Sequence, residues 1–84
     1  MSKLGERLTR LRIEKGLSRR QLEIEAKVPH GVVSRLESAE RAYPSVPVAI
    51  RLARVLGVSV DYLVGTYEDQ DHDYEPADGA LVPA

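Results

Sequence analysis

Arg35, His30 and Val32 stand close together in the chain and bring three different chemistries. A guanidinium presents two N–H groups that match guanine O6 and N7 in the DNA major groove, and valine methyls can touch the methyl of thymine. An imidazole can donate to a base or to a phosphate. Each has a plainer reading: Arg35 as a surface salt bridge or phosphate contact, His30 as a solvated histidine at a turn, Val32 as an ordinary exposed valine. A zinc role for His30 or His72 is not expected, because a tetrahedral site needs three or four ligands and no spacing here supplies them. No phosphate-cradling glycine loop and no Ser/His/Asp set with a supporting pattern is visible, so neither catalysis nor a cofactor is expected.

These residues need a scaffold, and the stretch SRRQLEIEAKVPHGVVSRLE, from Ser18 to Glu37, has the spacing to provide one. Ser18 can cap a helix start, and Leu22 and Ala26 then fall one turn apart on a single face. Lys27-Val28-Pro29 interrupts that helix, since the residue before proline avoids the α region and proline suits a first helical turn. A second helix over 29–37 turns Val33 and Leu36 inward and leaves His30, Gly31, Val32 and Arg35 near the outside. Two helices joined by a short turn form a helix-turn-helix unit, whose second helix fits the major groove. Arg19 and Arg20 open the first of the two, where N–H groups and positive charge favour phosphate. Lys27 is a further backbone-contact candidate; like Arg20 it could instead be solvated charge. Gly31 has no side chain to offer a base and is placed among the backbone contacts.

The flanking sequence predicts three more helices. Leu4, Leu8 and Leu11 repeat at i, i+4, i+7 within residues 4–15, with Gly16 placed to end the helix and Leu17 turning back to the core. After Glu37 a polar loop, SAERAYPS, leads to Ser45, a good cap for a helix over 46–56. Pro47 lies in its first turn, Val48, Leu52 and Leu56 face inward, and Ala49 and Ala53 permit close approach. Gly57 ends it. A last short helix, 59–64, has Val60 and Leu63 as anchors before Gly65. Ile24, between Glu23 and Glu25, falls off the Leu22–Ala26 face and is expected to be partly exposed. It could be an isolated apolar residue or, with Val58, Val60 and Val64, part of a partner surface.

Charge divides the chain of 84 residues in two. All 12 Lys and Arg lie in residues 1–65 against seven acids, a net of +5, whereas residues 66–84 carry six acids and no base. The whole-chain charge of −1 hides a basic folded part, 1–65, and an acidic tail, 66–84, that is expected to be disordered or loosely docked. With no Cys, Phe or Trp the core must be aliphatic and free of disulfides. No apolar run approaches the roughly 20 residues of a membrane span, and the first residues lack a signal-peptide core, so a soluble cytoplasmic protein is expected.

Four phrases together resemble a known family. They are L-x-x-L-R-x-x-x-G-L-S at Leu8–Ser18, L-x-x-x-A-x-V at Leu22–Val28, V-S-R-L-E at Val33–Glu37, and R-L-A-R-V-L-G-V-S-V-D-Y-L-V-G at Arg51–Gly65. They are similar to the XRE, or phage repressor–Cro-type, helix-turn-helix regulators over residues 4–65. The resemblance implies a compact all-α, five-helix, lambda-repressor-like domain that binds operator DNA as a homodimer. It also implies a phosphate contact at Arg19, an ion pair between Arg12 and Glu37, and a loop carrying Arg41 and Tyr43 along the DNA backbone. Arg41 and Tyr43 could equally be plain loop polarity. The chain departs from the family at Arg19, where Gln is frequent, at Lys27, where the turn often has Gly, and at His30-Gly31, where a polar pair usually reaches bases.

The expected function is that of a sequence-specific transcriptional regulator, a repressor rather than an activator. It would bind double-stranded DNA as a homodimer through a surface around Val58, Val60, Leu63 and Val64. The rival reading is an antitoxin-like or other interaction module that binds a protein partner through the acidic tail 66–84. That tail could also mask the chain's own basic face, or be dispensable.

Overall fold

Four serines start four of the five helices. In this computed structural model, which describes residues 2–65, Ser2 accepts from the Gly5 amide and opens α1 (Lys3–Glu14). Ser18 opens α2 (Arg19–Ala26) through a reciprocal capping box with Gln21, each side chain taking the other's backbone N–H. Ser45 opens α4 (Val46–Leu56) by accepting from the Val48 amide, and Ser59 opens α5 (Val60–Val64) by accepting from the Tyr62 amide. The exception is α3 (Val32–Ser38), whose cap position is Gly31 and which has no side-chain cap of its own.

The expected all-α architecture is present, with five helices and no strand among the described residues. The leucine stripe of α1 is buried at Leu4, Leu8 and Leu11, and it meets Leu22, Val33, Leu36, Leu52, Leu56 and Leu63 in one aliphatic core. The second helix of the central pair is shorter at its start than the sequence predicts: it runs 32–38 rather than 29–37. Gly31, at φ 93°, stands in the left-handed region just ahead of it, so Pro29 and His30 belong to the corner rather than to the helix. The corner tolerates Lys27 by holding it at φ 60°, ψ 45°, a conformation that costs a β-carbon-bearing residue energy. There Lys27 closes α2, and Arg51 on α4 reaches its carbonyl at 3.4 Å. The loop after α3 is less polar than its composition implies, for Ala42 is buried and Tyr43 packs against the core.

Contacts on two sides hold α1 against its neighbours. Arg10 donates to the Tyr62 hydroxyl of α5 at 2.9 Å, and the Arg7 guanidinium sits 5.4 Å from the centre of the same ring. On its other side, Gly5 brings α1 directly onto the backbone at the end of α3. No helix among the described residues is long and apolar enough to cross a membrane. The expectations for the tail 66–84 lie outside the described residues.

Candidate nucleic-acid interface

The recognition element is α3, and its orientation follows from which side chains it buries. Val33 and Leu36 are fully enclosed, so the 100° step of a helix turns Ser34, Arg35 and Ser38 to solvent. Arg35 is exposed, as expected. His30 is also exposed, but in the corner ahead of the helix. Val32 is half-buried and packs against the core, which corrects its placement as an outward-facing residue: it is the first helical residue and leans on the layer beneath. Ser34 and Ser38 escaped the sequence reading, although Val33 and Leu36 as inward residues imply both. The Ser38 hydroxyl donates to the Ser34 carbonyl within the helix, which leaves the Ser34 hydroxyl as the second outward-facing polar group beside Arg35.

Two buried carboxylates hold α3, one at each end. Glu37, in its last turn, is wholly enclosed and receives Arg12 Nε at 2.7 Å, Arg12 Nη2 at 3.2 Å and Arg19 Nε at 2.8 Å. Arg12 also donates to the Leu17 carbonyl at 2.8 Å, so it ties α1 both to α3 and to the turn before α2. The expected Arg12–Glu37 pair is therefore present, and it is the fork-to-carboxylate arrangement that suits a guanidinium. Burial acts to raise the Glu37 pKa. Hydrogen bonds from Arg12 and then Arg19, with the charge of Arg12, outweigh that and hold it below the ordinary value of 4.5.

Glu23 holds the other end. Its side chain is buried, one Oε2 accepting from the Gly31 amide at 2.9 Å and the Val33 amide at 3.0 Å. Arg20 approaches Oε1 from the solvent side at 3.3 Å. In the sequence Glu23 is marked only as one of two acids flanking Ile24; the signal for its role is an acid on the same turn as Leu22 and Ala26, ahead of a helix with no capping side chain. Ile24 itself is exposed, as expected.

The two arginines that open α2 thus straddle the recognition helix. Arg19 is tied to its last turn through Glu37, and Arg20 to its first through Glu23. Both side chains remain about half exposed, at 54% and 53%, so each can meet an anion while bonded to its carboxylate. Gly31, by contrast, has its amide engaged by Glu23, so no backbone donor is left there for a phosphate. Lys27 and Arg41 are exposed; Tyr43 is half-buried against the core.

The residues assigned to self-association fare unevenly. Leu63 is completely buried within the single chain, so it belongs to the core and not to a dimer surface; it packs inward from the short α5 into the aliphatic cluster. Val58 and Val60 are half-buried and pack on the core, and Val64 is half-buried. Tyr62, 46% exposed, is the large outward residue of α5. Elsewhere, a polar cleft of about 420 Å³ is lined by Lys3, Glu6, Arg7 and Arg10. Among the described residues that lining is charged, without the apolar walls of a small-molecule pocket. No group of three metal-ligating side chains is present among the described residues.

Comparison with known proteins places this geometry. A helix-turn-helix domain family matches residues 3–63. A crystal structure of SinR, described as the master regulator for biofilm formation, in complex with DNA is 32% identical. It covers 74% of this chain and 98% of its own, with a TM-score of 0.68. The N-terminal DNA-binding domain of SinR from Bacillus subtilis is 31% identical over 76% of this chain and 93% of its own, with a TM-score of 0.69. A SinR–SinI protein complex is similar at 31% identity and a TM-score of 0.69, covering 83% of this chain and 69% of its own. No curated protein matches the sequence.

Proposed function

This chain belongs to the helix-turn-helix domain family, in the XRE and repressor-like form that its motifs resemble, and we propose that it represses transcription by binding an inverted-repeat operator as a homodimer. That it is a DNA-binding regulator rests on the family and on the similarity to DNA-bound SinR. The observation that carries the rest is the straddled recognition helix: Arg35 and Ser34 face outward between two half-exposed arginines held at its ends. Arg35 reads a guanine, Arg19 and Arg20 grip phosphates on either side, and His30, Lys27 and Arg41 add contacts from the loops. Tyr43 and Val32 support these from the core side. No catalytic step is part of this function.

The dimer follows from size. One short recognition helix makes few base contacts, and two copies on half-sites about 34 Å apart multiply them. Val58, Val60 and Val64, joined by Tyr62 rather than Leu63, form the α5 surface for that contact. Selection of bound fragments from random duplex DNA tests the proposal. A palindromic consensus with matching half-sites, and a sedimenting species of two chains on one duplex, is the expected result. Enrichment of no sequence would overturn it.

A second reading keeps one independent support. A similar chain has been solved as a protein–protein complex, and residues 66–84 carry six acids without a base. Truncation after Gly65 discriminates. Loss of a co-purifying protein with unchanged DNA affinity favours a partner-binding tail, and tighter DNA binding favours masking of the basic face.

A further inference from the structure

We propose that Glu23 is a positioning residue for DNA reading, setting where the recognition helix begins and hence where Arg35 is presented. The inference rests on the DNA-binding reading above. It starts from an asymmetry: α1, α2, α4 and α5 are each started by their own serine, whereas α3 is not. Pro29 has no N–H, and Gly31 has no side chain with which to accept from the first-turn amides. Glu23 supplies that acceptor from the neighbouring helix, with a single oxygen bridging the Gly31 and Val33 amides. The carboxylate has almost no exposure, so its geometry is set by packing rather than by solvent.

Gly31 is the joint at which the chain enters α3, and at φ 93° it has open space around it. No capping side chain of its own holds that joint. The distance from Glu23 to two amides does. Arg35 lies four residues on, with its amide bonded to the Gly31 carbonyl, so the register of Gly31 is passed directly to the residue proposed to read a base. Arg20, a candidate phosphate contact, closes the outer side of the same carboxylate. The helix start and the DNA backbone contact therefore share one anchor.

Reach and charge can be separated at this position. Glu23→Gln keeps the length and an amide oxygen that can accept both N–H bonds, but loses the charge. Glu23→Asp keeps the charge and withdraws it by one methylene. The full chain and both variants would be titrated with the consensus duplex that the wild type selects and with a scrambled duplex of the same composition, at a temperature where circular dichroism shows all three folded. Positioning predicts that Glu23→Gln retains at least about a third of the wild-type preference for the consensus. Glu23→Asp loses about tenfold or more of it, while affinity for the scrambled duplex stays within about twofold. Amide exchange at Gly31 and Val33, measured without DNA, should quicken more in Glu23→Asp than in Glu23→Gln. The reverse order, with Asp tolerated and Gln not, would assign Glu23 an electrostatic role and overturn the proposal. So would an unchanged preference in both variants, or equal losses on the two duplexes. A wild-type chain that selects no sequence overturns the DNA-binding reading itself; one that does, with an Asp variant that reads it equally well, overturns the positioning role alone.

Discussion

Gly5 of α1 lies against the backbone of Glu37 so closely that a β-carbon at Gly5 would stand 2.7 Å from the Glu37 carbonyl oxygen and 3.0 Å from that of Leu36. Both are backbone atoms at the end of α3 and cannot swing aside. The first helix and the recognition helix meet there without any intervening side chain.

Gly5→Ala should therefore destabilise the domain despite the better helix propensity of alanine. Overpacking of this kind costs roughly 1–3 kcal/mol. Urea denaturation followed by circular dichroism would show a lower midpoint with an unchanged slope. A midpoint equal to or above that of the wild type would mean that the two helices can separate without penalty.

Removing the Glu37 carboxylate would strand the partly buried Arg12 guanidinium. Glu37→Ala should cost on the order of 3 kcal/mol or more, the scale for breaking a buried pair by deleting one partner. Glu40→Ala, at an exposed loop position, should cost well under about 1 kcal/mol. Equal melting shifts for the two would remove the structural role assigned to the pair.

Acid should act through the same carboxylate. Because Glu37 holds its proton less tightly folded than unfolded, the unfolded chain binds more protons as pH falls below about 4.5. Its contribution is complete above that value and is lost as pH drops through the lower, folded pKa. Glu37→Gln should flatten this acid limb of the stability–pH curve. A variant with the wild-type limb would place the acid sensitivity elsewhere.

Lys27 offers a trade between stability and binding. Glycine at φ 60° avoids the β-carbon penalty of about 1 kcal/mol, so Lys27→Gly should raise the melting temperature. If Lys27 also meets a phosphate, the same variant should reduce the salt slope of DNA binding by about 0.9 for each protomer bound to the duplex. A rise in stability with an unchanged slope would keep the backbone role and discard the phosphate contact.

Arg35→Ala should weaken binding to the selected consensus by about 1–3 kcal/mol and relax the preference at one position in each half-site. A uniform loss across all sequences would instead make Arg35 a phosphate contact.

The helices were legible because each carries its own local signal: Ser18, Ser45 and Ser59 as caps, Gly57 as a stop, and leucines at one-turn spacing. What escaped was non-local. The amides at the start of α3 are met by a carboxylate eight residues before Gly31 and ten before Val33, and periodicity sees only Pro29 as a plausible opening. Leu63 reads both as an anchor and as dimer surface, because a five-residue helix has too little pattern to show which side faces in. Gly5 carried no signal at all, since the contact that requires it is with backbone atoms 32 residues away. The Arg12–Glu37 pair was reached through family resemblance, whereas the third partner, Arg19, had been set aside for phosphate.

The serine-capped helices are self-contained units of punctuation, and the recognition helix is not. Its opening instruction is written in α2. A graft that moved residues 29–38 into another scaffold would carry the reading face and leave behind the carboxylate that tells it where to begin. In this chain the reading face travels with its carboxylate only as a pair of helices, so an exchange that keeps the two together crosses at or before Ser18.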